Sequence, residues 1–151
     1  MLKQGFLYII PMVYLRGIIM KSKTLKLFTL PLLFVLSGCS TISGNGTFIA
    51  CVSNETGKGF SKRYSSFDGT YNYAKEFSKA QSFLVDIQTT DGTLAFTIKN
   101  KENNENVYSG NFDKDVGTSS FTVNAEAGKY EFSFSAVNHC GSFEVKFTDK
   151  D

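Results

Sequence analysis

The chain has 151 residues, of which 16 are basic and 14 acidic, and a formal net charge of +2. Five of the basic residues and none of the acidic ones precede residue 39, so the remaining 113 residues carry an excess of three acidic groups. An acidic surface without a basic cluster argues against nucleic acid and anionic lipid as partners, because both require a positive footprint. A length of 113 residues is enough for one domain with a single core and too short for two.

Residues 1–19 contain an apolar stretch that is separate from the one after it. Met20 stands directly before Lys21 and is the better start, because a secretory signal begins with a positively charged segment. We therefore interpret residues 1–19 as an over-extended N-terminus. A genuine transmembrane segment is the alternative, and neither interpretation changes the mature domain.

Residues 20–38 have the composition of a signal peptide. Lys21, Lys23 and Lys26 precede the apolar run Leu27–Leu36, which is too short for a permanent transmembrane helix. The run ends in Leu-Ser-Gly-Cys, with the cysteine at Cys39. This arrangement resembles the lipobox signal of bacterial lipoproteins. The resemblance implies that Cys39 is acylated, palmitate being one of the acyl groups, and becomes the first mature residue. It also implies a domain anchored by lipid to the cell membrane or outer membrane, facing outside the cytoplasm. A plain signal peptide or short anchor with an incidental cysteine is the alternative.

After the lipidation site, residues 39–46 are small and polar and suit a short flexible tether. Residues 47–151 alternate between apolar and polar side chains, which is typical of half-buried strands. Thr90-Asp91-Gly92 and Asn138–Gly141 carry turn residues between such runs and predict two hairpins. Strands with one apolar face must bury it against a second sheet. The sequence therefore predicts an all-β domain, an antiparallel β-sandwich of seven or eight strands with a jelly-roll-like or immunoglobulin-like arrangement. It looks like the small sandwich domains of secreted bacterial proteins, a resemblance that implies the fold alone.

The alternating positions define a predicted core. Its members share an apolar side chain on the inward face of a strand: Phe83, Val85, Ile87, Leu94, Phe96, Ile98, Phe121, Val123, Phe132, Phe134, Val145 and Phe147.

Two cysteines remain when Cys39 is assigned to lipid. Cys51 and Cys140 form an even pair in an oxidising compartment, so we expect a disulfide between them that joins the first strand to the last predicted hairpin. Two buried free thiols or a metal pair are the alternatives. A zinc site requires four ligands, and the two cysteines with the single histidine of the chain supply three.

Few residues are candidates for chemistry. The single histidine, His139, lies in a predicted turn and is expected to be exposed. Asp113 and Asp115 form an Asp-x-Asp-x-Gly fragment of a calcium loop, but the further oxygen ligands and the bidentate glutamate are missing, so a solvated acidic turn is favoured. We expect no enzyme activity, no cofactor and no metal.

The segment 60–77 is rich in aromatic side chains interleaved with polar ones. Core packing is the favoured interpretation of the segment, and a surface patch suited to stacking on sugar rings or to contact with a protein is the alternative. Because the predicted core already fills one layer between the sheets, at least two of Tyr64, Phe67, Tyr71 and Tyr73 are expected to remain partly exposed as a binding patch.

These observations favour a lipid-anchored, non-enzymatic binding module at the cell envelope, with a glycan or a protein as its ligand. A structural or envelope-maintenance lipoprotein without a discrete ligand site is one alternative, and a carbohydrate-binding module is another. The exposure of the four patch residues discriminates between binding and structural hypotheses.

Overall fold

The computed structural model describes residues 41–150, so the predicted signal peptide and Cys39 lie outside the described residues. Within this range the chain forms eight strands and no helix. Their bounds are β1 Thr41–Ser43, β2 Thr47–Ile49, β3 Val52–Thr56, β4 Gly59–Phe77, β5 Gln81–Asn100, β6 Asn106–Asp113, β7 Thr118–Ala125 and β8 Gly128–Asp149. All pairings are antiparallel. The predicted all-β sandwich is confirmed.

Three long strands form the centre of the fold, with β8 between β4 and β5. Each of them bends near its middle. The register of β4 shifts between residues 64 and 69, and that of β5 between residues 89 and 93. The bend of β8 includes Gly141, whose φ of 148° is in the range that favours glycine. Because the bends lie side by side, the sheet folds over and its two halves pack face to face.

We call the two halves layers A and B. Layer A contains β3, residues 59–64 of β4, residues 141–149 of β8, residues 81–89 of β5, and β7. Layer B contains β1, residues 67–77 of β4, residues 128–138 of β8, residues 91–100 of β5, and β6. The short strand β2 pairs with β4 at the bend. Every long strand therefore contributes to both layers.

The two predicted hairpins are wrong, because the chain bends at these places instead of reversing. Residues 83–87 and 94–98 belong to the single strand β5, and residues 130–136 and 143–147 to the single strand β8. Glycine and small polar residues serve a bend as well as a hairpin, since both need a backbone that leaves the regular strand conformation. At the first site, Gly92 has a φ of 72°.

The core is built from aromatic rings that meet across the two layers. Phe134 of layer B stacks on Phe143 of layer A with ring centroids 3.9 Å apart, and Phe60 of layer A stacks on Tyr73 of layer B at 4.2 Å. All but one of the predicted core residues are buried; the exception, Phe121, is half-buried and packs against the core.

The start of the domain differs from the prediction. Residues 41–43, assigned from the sequence to a flexible tether, form β1 and pair with residues 72–74 of β4. The sheet of the described structure therefore begins at Thr41, two residues after Cys39.

Among residues 41–150, no helix is long and apolar enough to cross a membrane.

Candidate functional site

The predicted aromatic binding patch is wrong, because all four of its side chains are in the core. Tyr64 is 4% exposed, Phe67 0%, Tyr71 7% and Tyr73 1%. The expectation rested on a core filled by β5, β7 and β8 alone. In the structure β4 is itself a central strand that passes through both layers, so its inward-facing rings occupy the space between them.

The bend of the three central strands contains a buried polar group that the sequence did not reveal. His139 of β8 is fully buried. Its Nδ1 lies 2.9 Å from the Tyr64 hydroxyl of β4, and its Nε2 lies 2.9 Å from Oγ1 of Thr89 of β5. One ring nitrogen donates and the other accepts, since the burial lowers the pKa of His139 to about 4 and keeps the ring neutral. The prediction of an exposed turn histidine is wrong.

We call Tyr64, Thr89 and His139 the corner triad. It joins one residue from each central strand at the point where the sheet folds over. A buried polar group must be hydrogen-bonded to be tolerated, and here each ring nitrogen has a hydroxyl partner. Buried hydroxyls thus occupy both hydrogen-bonding positions of the imidazole and join the three central strands at the bend.

The predicted disulfide is also wrong. Cys51 and Cys140 are both free thiols, the first exposed and the second half-buried. Cys51 follows β2 and precedes β3, which both pair with one side of β4, whereas Cys140 belongs to β8 on its other side. Two strand spacings separate their backbones by about 10 Å, and a disulfide needs Cα atoms within about 7 Å.

Asp113 stabilises the turn between β6 and β7. Its Oδ1 accepts hydrogen bonds from the backbone N–H of Asp115 at 3.0 Å and of Val116 at 3.1 Å. This is an Asx turn, in which the carboxylate satisfies its own backbone. Within residues 41–150 no group of three or more His, Cys, Asp or Glu side chains could hold a metal ion. The carboxylate of Asp113 therefore stabilises the backbone of this loop.

The outer face of layer A carries an open cleft of about 550 Å³. Because antiparallel partners lie side by side, outward residues of the five strands form rows across the cleft. One row runs Val52, Arg63, Ser142, Gln88 and Thr118; the next runs Asn54, Ser61, Glu144, Asp86 and Ser120. With the exception of Val52, every side chain in these rows is a hydrogen-bonding one. We call this surface the layer A cleft.

A second cavity of about 410 Å³ adjoins the first one. Arg63 and Gln88 line both cavities, and Ser65, Thr90 and Cys140 line the second alone. Arg63 therefore stands near the middle of a hydrogen-bonding surface that extends over the bend.

The charged groups of the cleft differ in whether the protein already pairs them. Asp86 accepts a hydrogen bond from the Ser120 hydroxyl, and Glu144 forms an ion pair with Lys146 at 3.0 Å. Arg63 is exposed, and its guanidinium makes no ion pair or side-chain hydrogen bond within the described part of the chain. It is a donor group open to a ligand.

Sequence reasoning did not identify these residues. In the alternation of a half-buried strand, an outward arginine or aspartate looks the same whether it meets solvent or a ligand. Only the register of the pairings brings Arg63 and Gln88 into one row.

Comparison with known proteins gives weak similarities. No protein-family model and no curated protein matches the chain. Among solved structures, the chain is similar to the carbohydrate-binding module CBM6cm-2 of Cellvibrio mixtus lichenase 5A, with 17% identity, a TM-score of 0.39, and coverage of 72% of this chain and 88% of that one. It is similar to a family 35 carbohydrate-binding module from Clostridium thermocellum, with 11% identity, a TM-score of 0.39, and coverage of 74% and 99%.

Another similar structure is the enzymatically active domain of tailspike protein 4 of bacteriophage CBA120, with 15% identity and a TM-score of 0.38. The match covers 71% of this chain and 18% of that one.

Proposed function

We propose that the domain is a non-enzymatic binding module whose ligand site is the layer A cleft. The observation that carries the proposal is the pair of aligned rows, in which side chains from five neighbouring strands offer hydrogen bonds to one surface. A volume of about 550 Å³ is in the range of ligand sites. Its polar lining suits a ligand rich in hydroxyl groups, such as a glycan.

The corner triad supports a binding role over catalysis. The chain has a single histidine, and both of its ring nitrogens are engaged by buried hydroxyls. A general base must reach the proton that it removes from a substrate, and a ring with no exposed surface does not reach one. The side chains that remain in the cleft are arranged to hold a ligand by hydrogen bonds.

The test is a double variant of the cleft, Arg63→Ala with Asp86→Ala. Binding is measured by affinity electrophoresis and calorimetry on a panel of neutral and acidic cell-envelope glycans. The matched control is Lys99→Ala with Glu76→Ala, which removes the same two charges from outward positions of layer B. We expect the cleft variant to lose binding and the control to keep it. Equal binding by both variants places the ligand elsewhere, and no binding by the wild type refutes the proposal.

A structural lipoprotein without a ligand site is the second candidate. The burial of Tyr64, Phe67, Tyr71 and Tyr73 favours it, because the exposed aromatic rings expected of a recognition patch are absent from that face. This candidate predicts that neither double variant changes any binding, and that the wild type retains no glycan of the panel.

For the location of the domain, we propose lipid attachment at Cys39, supported by the lysine-rich start, the apolar run and the Leu-Ser-Gly-Cys ending of the signal peptide. Since β1 begins at Thr41, the lipid would hold the domain within about 10 Å of the bilayer surface. Intact-mass analysis of the membrane fraction tests the attachment. Cys39→Ala should release the protein from membranes and Cys51→Ala should not; a Cys39→Ala variant that stays with the membrane refutes it.

A further inference from the structure

The layer A cleft combines an unpaired cation with paired carboxylates. Arg63 is exposed at the junction of the two cavities. The second cation of the cleft, Lys62, is already engaged: its Nζ donates to the Ser53 hydroxyl at 3.0 Å and lies 4.6 Å from the centre of the Tyr71 ring. Arg63 is therefore the group of the cleft that gains most from an anionic ligand.

A guanidinium presents its N–H groups as a planar fork that fits two oxygens of a carboxylate, sulfate or phosphate. A neutral sugar offers hydroxyl groups that fill this fork less well, because a hydrogen bond with one charged partner is weaker than one between two opposite charges. An acidic sugar placed at Arg63 is thus preferred to a neutral one.

The neighbouring row of the cleft, which contains Asp86 and Glu144, favours uncharged groups of a ligand. This row lies two residues along the strands from the row that contains Arg63. Both carboxylates are acceptors, and with Gln88 they suit ligand hydroxyls, which donate. A second anion placed over this row would meet the negative charge of Asp86, whose partner Ser120 is uncharged, whereas Lys146 offsets the charge of Glu144. The cleft therefore favours a chain in which an acidic sugar is followed by a neutral one.

We propose that the layer A cleft binds a glycan in which acidic and neutral sugars alternate, with the acidic group on Arg63 and neutral hydroxyls on Asp86 and Gln88. This inference rests on the proposed binding function and names the class of ligand. Carboxylate and sulfate share the chemistry that Arg63 recognises, so the probes must separate them.

The experiment measures binding of the folded domain to five polymers. Hyaluronan and heparosan alternate a uronate with a neutral amino sugar, carboxyl-reduced hyaluronan is their neutral counterpart, keratan sulfate carries sulfate on a neutral backbone, and polygalacturonate is charged on every sugar. We expect an alternating acidic polymer to bind more tightly than the carboxyl-reduced polymer, by a factor of about 10 or more. This is the gain in affinity expected from a hydrogen bond between charged groups. Polygalacturonate should bind more weakly than the alternating polymers.

Variants identify the group responsible. Arg63→Gln should lower binding of the acidic polymer to that of the reduced one, and Arg63→Lys, which keeps the charge and loses the fork, should fall between them. Lys99→Gln on layer B is the control and should bind as the wild type does. Tighter binding of keratan sulfate than of the uronates keeps the proposal and identifies the acidic group as a sulfate.

Two results separate this inference from the proposed function. Equal binding of native and carboxyl-reduced polymers, or an unchanged preference in Arg63→Gln, overturns the acidic-sugar inference while the binding function stands. Failure to retain any glycan, neutral or acidic, overturns both.

Discussion

The corner triad makes the stability of this domain depend on pH through one residue. Burial lowers the pKa of His139 from 6.5 to about 4, because the charged ring would lose its hydration in the interior. Protonation also removes the acceptor nitrogen, so one of the two hydrogen bonds to Tyr64 and Thr89 must break or reverse its donor.

The direction follows from the lowered pKa. Between pH 6.5 and pH 4 the unfolded chain binds a proton at His139 that the folded chain does not bind, so the free energy of unfolding falls as the pH falls through this window. Above pH 6.5 the contribution is complete. Each pKa unit corresponds to about 1.4 kcal/mol, so the loss at pH 4 is about 3 kcal/mol. This is a large part of the 5–15 kcal/mol that is typical of a domain.

The measurement is urea denaturation of the wild type and of His139→Gln at pH 7.5, 5.5 and 4.5. The glutamine amide can donate to one hydroxyl and accept from the other, and it does not titrate. The carboxylates of the domain are common to both proteins, so their pH dependence cancels in the difference. We expect the wild type to lose about 2 to 3 kcal/mol more than the variant over this range. Parallel losses in the two proteins would refute the assignment of a neutral, buried His139.

Three further predictions concern the bend, the core and the thiols. Gly141→Ala should lower the free energy of unfolding by about 1 to 3 kcal/mol in denaturation experiments. The residue has a φ of 148°, and an added Cβ would overlap the backbone carbonyl oxygen of Gln88 in β5. Gly57→Ala is the control and should be neutral, because no atom lies within 4 Å of its added Cβ. Phe134→Ala should lower the free energy of unfolding by about 3 to 5 kcal/mol, since its ring is fully buried against four others, and a loss below about 1 kcal/mol would contradict its place in the core. Without reductant, the native domain should react with two equivalents of a thiol reagent, Cys51 faster than Cys140; an unreactive pair would restore the disulfide.

The sequence predicted the core of β5 and β8 well, because period-two alternation is a local signal. Phe83, Phe96 and Phe132 are each 0% exposed, as expected from their positions. It did not predict the aromatic rings of β4, where the alternation breaks between residues 64 and 69. An irregularity in one strand shifts the face of every side chain after it, so residues 60–77 show no single period from end to end.

The bends were misread for a different physical reason. Residues 138–141 have the composition of a tight turn, and a glycine with positive φ serves a reversal and a bend equally. In a hairpin, the segment after the glycine pairs with the segment before it. In a bend, both segments pair with the same neighbouring strands. This pairing is a long-range property: β8 keeps β4 and β5 as neighbours on both sides of the bend.

The bend also relates the buried and exposed parts of the domain. Arg63 precedes Tyr64 and Gln88 precedes Thr89, so two lining residues of the layer A cleft are chain neighbours of the corner triad. Successive residues of a strand point to opposite faces. The pairings of β4 and β5 with β8 set the spacing of Arg63 and Gln88 on the outer face, and the hydrogen bonds of Tyr64 and Thr89 to His139 join the same strands on the inner face. The buried histidine thus stabilises, from the inner face, the part of the bend whose outer face carries two lining residues of the cleft.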